Sequence, residues 1–226
     1  MSRTWAIGDI HGCSTALGAL LDRLLPAPDD AIIVLGDIVD RGPDTRGAID
    51  RLLSLSQQCR LRLIQGNHEE MLLDGLANGP LLSMWLAHGG QPALDSYGGD
   101  PGAIPAEHLQ FLESAADYIE LDDLICVHAN LRPGIALAEQ TKYWLRWKAL
   151  DPAEAFSDGS QLVVCGHTPQ KNGLPLVLPG WVCIDTNCCR GGWLTALDLD
   201  RGEFVQANQQ AETRHGQIEN WHRPGE

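Results

Sequence analysis

Two short stretches decide the reading of this chain: GDIVDRG at Gly36–Gly42 and GNHE at Gly66–Glu69. Each follows an apolar run, Ala31–Leu35 and Leu61–Ile64, whose length and composition predict a buried strand. Each therefore sets its polar residues at the carboxyl end of a strand, where open α/β sheets bind their ligands. A glycine opens both motifs and lets the backbone turn as the strand ends. Three further segments repeat the design: GDIHG after Thr4–Ile7, VHAN closing Leu124–His128, and GHT after Leu162–Cys165. Five strand ends that deliver Asp, His, Asn and Arg are too coherent to be a matter of composition.

Between the first motifs the pattern switches to helix. Ala16, Leu17, Leu20, Leu21, Leu24 and Leu25 fall at three-to-four spacing, with Ser14 as the expected cap and Pro26 and Pro28 as the stop. A second helix is expected from Pro43 or Asp44, facing Ala48, Ile49, Leu52 and Leu53 inward. This strand–helix–strand order predicts parallel strands joined by right-handed crossovers. Residues 69–116 read as helices, broken at Gly89–Gly90 and Gly98–Gly99. There Trp85 fits core better than substrate surface, and His88 and His108 fit surface or helix positions. Tyr118–Leu121 and Leu124–His128 flank Asp122–Asp123 as a hairpin. Leu176–Leu178, Trp181–Asp185, Leu194–Leu199 and Phe204–Gln206 read as antiparallel strands. One domain, 1–206, is expected, followed by a loose polar tail, 207–226.

Composition narrows the class. The chain has 226 residues, 44% of them hydrophobic, enough for one core. No apolar run approaches the ~20 residues of a membrane helix, and Met1–Arg3 leads straight into a strand without a signal peptide. The net charge of −14 repels nucleic-acid phosphates and argues against that class of partner. Seven cysteines without CxxC spacing suit a reducing cytoplasm. Cys13, Cys59, Cys126, Cys165 and Cys183 read as small core residues, and Cys188–Cys189 as a packing pair rather than a redox one.

The chemistry follows from the strand ends. Asp9 and His11, two apart on an extended chain, can share one cation. Asp37, Asn67, His128 and His167 complete a mixed oxygen and imidazole set that fits two first-row cations better than one. Asp37 is central and has two oxygens, so it is the natural bridge. Two such cations activate water and clamp an in-line phosphoryl displacement. Arg41 and Arg146 offer planar forks for phosphate oxygens. Arg146 lies between Trp144 and Trp147, which would partly enclose it. His68 stands beside a ligand but outside the ligand set. With Asp40 as its partner it is the candidate acid for the leaving group. Neither Ser nor Cys is placed as a nucleophile beside a base, which favours direct attack by water.

In this order and spacing, GDIHG, GDIVDRG, GNHE, HAN and GHT resemble the metal-dependent phosphoprotein phosphatases. More narrowly, the chain resembles the small bacterial and phage lambda-type serine/threonine enzymes. The resemblance runs from Trp5 to about Leu199 and includes WLAHGG at Trp85–Gly90, YWLRW around Arg146 and IDTN at Ile184–Asn187. It implies a calcineurin-like α/β fold, a β-sandwich of two mixed sheets flanked by helices, where the local pattern alone suggests a single open sheet. It assigns Asp9, His11 and Asp37 to one metal, and Asp37, Asn67, His128 and His167 to the other. It makes Arg41 and Arg146 the phosphate-binding arginines, and His68 with Asp40 the general-acid pair. Manganese is the ion it implies, with iron or zinc as alternatives. Two departures stand out: Ala129–Asn130 after His128, and IDTN in place of the commoner IDTG.

The expected function is that of a cytoplasmic serine/threonine protein phosphatase acting on a phosphorylated protein or peptide. A bis(5′-nucleosyl)-tetraphosphatase of the same fold is the alternative. Relatives with that activity commonly lack the acid that Asp40 supplies here. A metal-binding scaffold without activity is remote, because no ligand, arginine or His68 is missing.

Overall fold

The computed structural model describes residues 2–153, 161–219 and 221. Six strands form one sheet. Three of them, β1 (Thr4–Ile7), β2 (Ala31–Val34) and β3 (Arg60–Leu63), run parallel. On the other side of β1 lie β9 (Leu194–Asp198), β10 (Glu203–Ala207) and β11 (Thr213–Gln217), all antiparallel neighbours. The second sheet has the order β4-β5-β6-β8-β7. Its centre, β5 (Leu124–Val127), β6 (Leu162–Cys165) and β8 (Trp181–Cys183), is parallel, while β4 (Tyr118–Glu120) and β7 (Leu176–Leu178) are antiparallel edges. Both sheets are thus mixed, and the single open sheet suggested by local pattern is corrected.

The alternation of side chains along each strand builds the layers. Trp5, Ile7, Ile32 and Val34 face one core, together with Leu17 and Leu20 of α1 (Ser14–Leu24) and Ile49 and Leu52 of α2 (Thr45–Ser56). The residues between them, Ala6 and Ile33, face Leu124, Cys126, Val164 and Val182 across the sandwich. On the far side Ile125, Val127, Val163 and Trp181 pack on Leu145 of α7 (Lys142–Arg146). Strands buried on both faces read as unbroken apolar runs, which is why the sequence showed strands but not which sheet each joined. Each fully buried Ile or Leu contributes roughly 1.5–3 kcal/mol.

The middle of the chain is helical: α3 (Asn67–Ala77), α4 (Gly79–Trp85), α5 (Gln91–Asp95) and α6 (Ala106–Glu113). The chain kinks within Leu86–Gly90, where His88 and Gly89 leave helical backbone and Gly89 takes φ 112°, so the break expected there is present. Ser14 does not cap α1; its hydroxyl donates to Asp44, which caps α2 by accepting from the Gly47 N–H. Of the two positions expected for it, His108 takes the helical one: it lies on α6, buried between Tyr97 and Asp50.

The expected loose tail is also corrected. Residues 213–217 form the edge strand β11, and Ile218 is buried. The strand is held by backbone pairing and by Arg214, which donates to Gln206 and the Gly173 carbonyl. A polar edge strand lacks the apolar alternation by which strands are recognised. The remainder of that tail call, 220 and 222–226, lies outside the described residues. No helix among the described residues is long and apolar enough to cross a membrane.

Candidate metal centre

The carboxyl ends of β1, β2, β3, β5 and β6 converge. Two groups, His11–Asp37–His68 and Asp37–His128–His167, each bring their ligand atoms within 4.8 Å of one another, and Asp37 belongs to both. One Asp37 oxygen lies 3.4 Å from His11 Nε2, the other 3.3 Å from His128 Nε2. The carboxylate thus faces both groups at once. Asn67 Oδ1 is 3.2 Å from His128 Nε2. Asp9 stands behind His167, accepting its backbone N–H at 3.1 Å.

The loops carry strain. His11, Asp37, Asp40, Arg41 and His167 all have φ between 46° and 70°, a region that costs a non-glycine residue about 1–3 kcal/mol. Such backbone persists only where the surroundings over-determine it. Glu69 is one reason it persists here. Its buried carboxylate accepts the backbone N–H groups of Asp37, Ile38, Val39 and Gly66 at 2.7–3.2 Å. It ties the two deciding motifs together. Its spacing three residues after Gly66 was the available signal, that of a capping box, but its reach across to the other loop was not. Gly36, at φ 102°, allows the close approach: a Cβ there would lie 2.8 Å from His128 Nδ1.

Ring hydrogen bonds test whether these residues suit cations. His11 Nδ1 donates to the Val39 carbonyl, His128 Nδ1 to Leu35, and His167 Nε2 to Trp147, at 2.8–3.0 Å. A carbonyl only accepts, so in each ring the other nitrogen presents an acceptor lone pair inward, the one on His11 facing Arg41. His128 Nε2 then faces His167 Nδ1 at 3.2 Å, with the Asn67 and Asp37 oxygens around it. Acceptors facing acceptors in a buried space fit a shared cation, with the backbone carbonyls as outer partners. Burial keeps all three rings neutral, as ligands must be: it lowers His128, and brings His11 down to about 3 and His167 to about 4.

His68 differs. Its Nδ1 pairs with Asp40 Oδ2 at 2.6 Å, and its buried Nε2 has no partner. Burial opposes its charge, but Asp37 and the Asp40 hydrogen bond outweigh it and the pKa is raised. Arg41 donates from Nη1 to His11 Nε2 at 2.9 Å. Arg146 is buried, its guanidinium held by Asp117 and Glu70 and its Nε without a partner. Trp147 donates its indole N–H to Glu70, one of these two carboxylates.

At the rim, Asn187 of IDTN takes φ 65°, a conformation that asparagine tolerates in place of glycine. Asp185, also buried, was given no role by the sequence; burial raises its pKa to about 6. Cys188 packs in the core beside Cys13, as expected of a packing pair.

Comparison with known proteins agrees with this geometry. The family model described as calcineurin-like phosphoesterase matches residues 2–171. The chain is 30% identical to a bis(5′-nucleosyl)-tetraphosphatase PrpE [asymmetrical] of Anoxybacillus flavithermus, over 88% of this chain and 91% of that protein. It is 37% identical to serine/threonine-protein phosphatase 1 of Salmonella typhimurium, but over 38% of each chain. A cold-active protein-tyrosine phosphatase of a Shewanella species shares the fold, with a TM-score of 0.67 at 18% identity over 95% of this chain and 80% of that one. Members of the family use a dimetal site, which the paired groups around Asp37 match in kind. The chain therefore belongs to the calcineurin-like phosphoesterases and is a metallophosphoesterase.

Proposed function

We propose that this enzyme hydrolyses phosphate esters of alcohols, with phosphoserine or phosphothreonine in a protein as substrate. The observation that carries the reading is the buried His68–Asp40 pair with its unpartnered Nε2. A serine or threonine alkoxide is a poor leaving group and needs a proton as the bond breaks. His68 supplies it from Nε2, and Asp40 holds the ring and supports its charge. Arg41, already directed at His11 Nε2, and Arg146 bind the phosphate oxygens. Asp9, His11, Asp37, Asn67, His128 and His167 hold two divalent cations, which offset phosphate charge and make water a stronger nucleophile. We propose manganese, because the donors are carboxylate, amide and imidazole, with no thiolate in either group. The cysteines are all unpaired, which supports a reducing, cytoplasmic setting.

A second reading is hydrolysis of bis(5′-nucleosyl) tetraphosphates. It is favoured by the PrpE likeness, which extends over most of both chains, whereas the likeness to the serine/threonine phosphatase is local. An anhydride leaves as a stabilised phosphate and has little need of His68. Rates on a phosphoserine peptide and on diadenosine tetraphosphate, measured side by side with manganese, separate the two. We expect the peptide to be the better substrate by kcat/KM. A clear preference for the dinucleotide overturns the first reading in favour of the second.

A further inference from the structure

Asp40 has a second partner. The indole N–H of Trp85 donates to both of its carboxylate oxygens, at 2.9 and 3.0 Å. Trp85 is fully buried, and a buried indole N–H needs an acceptor. Of all the acceptors in the core it meets the one that also holds His68.

The surrounding chain is shaped for this ring. Trp85 ends α4, and the kinked turn at Leu86–Gly90 follows at once. That turn lays Gly90 against the indole, where a Cβ would lie 2.4 Å from Cε2. On α3, Gly75 lets the Trp85 side chain come close: a Cβ at that position would lie 3.2 Å from the Trp85 Cβ. The same turn brings the Gly89 carbonyl onto the Arg41 N–H at 2.8 Å. WLAHGG thus reaches both functional residues of the VDRG loop. A leucine or phenylalanine would serve packing alone; the indole adds a donor aimed at a carboxylate. We propose that Trp85 is a positioning residue: it fixes Asp40, and through Asp40 the His68 ring, so that Nε2 meets the leaving oxygen. This rests on the reading of His68 as the proton donor.

The test uses Trp85→Phe, which keeps an aromatic ring and removes the N–H. With a phosphoserine peptide, kcat should fall about tenfold or more, with KM little changed. With p-nitrophenyl phosphate, whose leaving group needs no proton, the rate should stay within about threefold. The double variant with Asp40→Asn should be no slower than Asp40→Asn alone. Equal losses on both substrates, or no loss on the peptide, overturn the proposal. A second measurement needs neither turnover nor a folded Trp85 variant. With the seven tryptophans labelled at the indole nitrogen, one indole proton should move upfield and exchange faster in Asp40→Asn than in the unaltered protein. Seven unchanged signals overturn the contact itself, whereas a changed signal together with an unaltered protein that is inactive on phosphopeptide would support the contact and overturn the reading of the function.

Discussion

Around Asp37, three imidazoles donate a ring N–H to a backbone carbonyl and turn the other nitrogen inward as an acceptor. The fourth, His68, which shares its side of Asp37 with His11, donates to a carboxylate that is itself gripped by an indole. His11, His68 and His128 are buried and His167 is half-buried, so burial alone would hardly tell them apart. The partner of the outer nitrogen separates them. A neutral carbonyl orients a ring without charging it, which suits a metal ligand. A carboxylate stabilises the charged ring, which suits an acid. The same side chain therefore serves two purposes within one site.

Several substitutions would break or sharpen that contrast. The largest effect should come from Asp37→Asn, which weakens both groups together. Turnover should fall by more than about 100-fold, since loss of an outer hydrogen-bond partner alone costs 10–100-fold. Metal analysis should find fewer than two ions retained, and two tightly held ions would rule out the bridge. His68→Asn should instead keep both ions while losing roughly 10²–10⁴-fold in rate on alkyl phosphates. Parent-like activity on a phosphoserine peptide would remove His68 from the chemistry. Glu69→Ala acts on neither side directly, but it strands the four N–H groups that set both loops. A stability loss on the order of 3–5 kcal/mol by denaturant titration is expected, and a loss below 1 kcal/mol would show that the loops hold themselves.

The smallest effect is a control away from the centre. Asp30 is buried, which would raise its pKa, but hydrogen bonds from Arg3 and the Ala27 N–H bring it down to about 2. The folded state therefore holds this proton less tightly than the unfolded one. Its contribution to stability is complete above the ordinary carboxylate pKa of about 4 and is lost as pH falls through about 2. Asp30→Asn should flatten that acid limb in thermal melts and leave kcat at neutral pH unchanged. An unaltered acid limb would show that the pair contributes nothing there.

Much of the site was legible because ligands cluster at strand ends. His11, Asp37, His68, His128 and His167 converge as their motifs implied. Glu69 and Trp85 were harder to read. Glu69 sits inside GNHE, but its four donors come mostly from a loop some thirty residues earlier. Trp85 reads as core by helical spacing, and it is core; that its N–H meets Asp40, 45 residues earlier, has no local signal. For Arg146 the sequence suggests an anion binder partly enclosed by its neighbouring tryptophans; the carboxylates that hold it, Asp117 and Glu70, lie far along the chain. The strand β11 was missed because backbone bonds to a neighbour leave no apolar pattern.

The sequence by itself determined the order of strands and helices and the identity of the chemical groups. Those follow from local rules: glycine at sharp turns, apolar runs in strands, and donor types suited to cations. Only the tertiary structure decided which sheet each strand joins and which nitrogen of each ring is free. That choice depends on which oxygen lies within about 3 Å of the other nitrogen, and the oxygens come from residues far away along the chain.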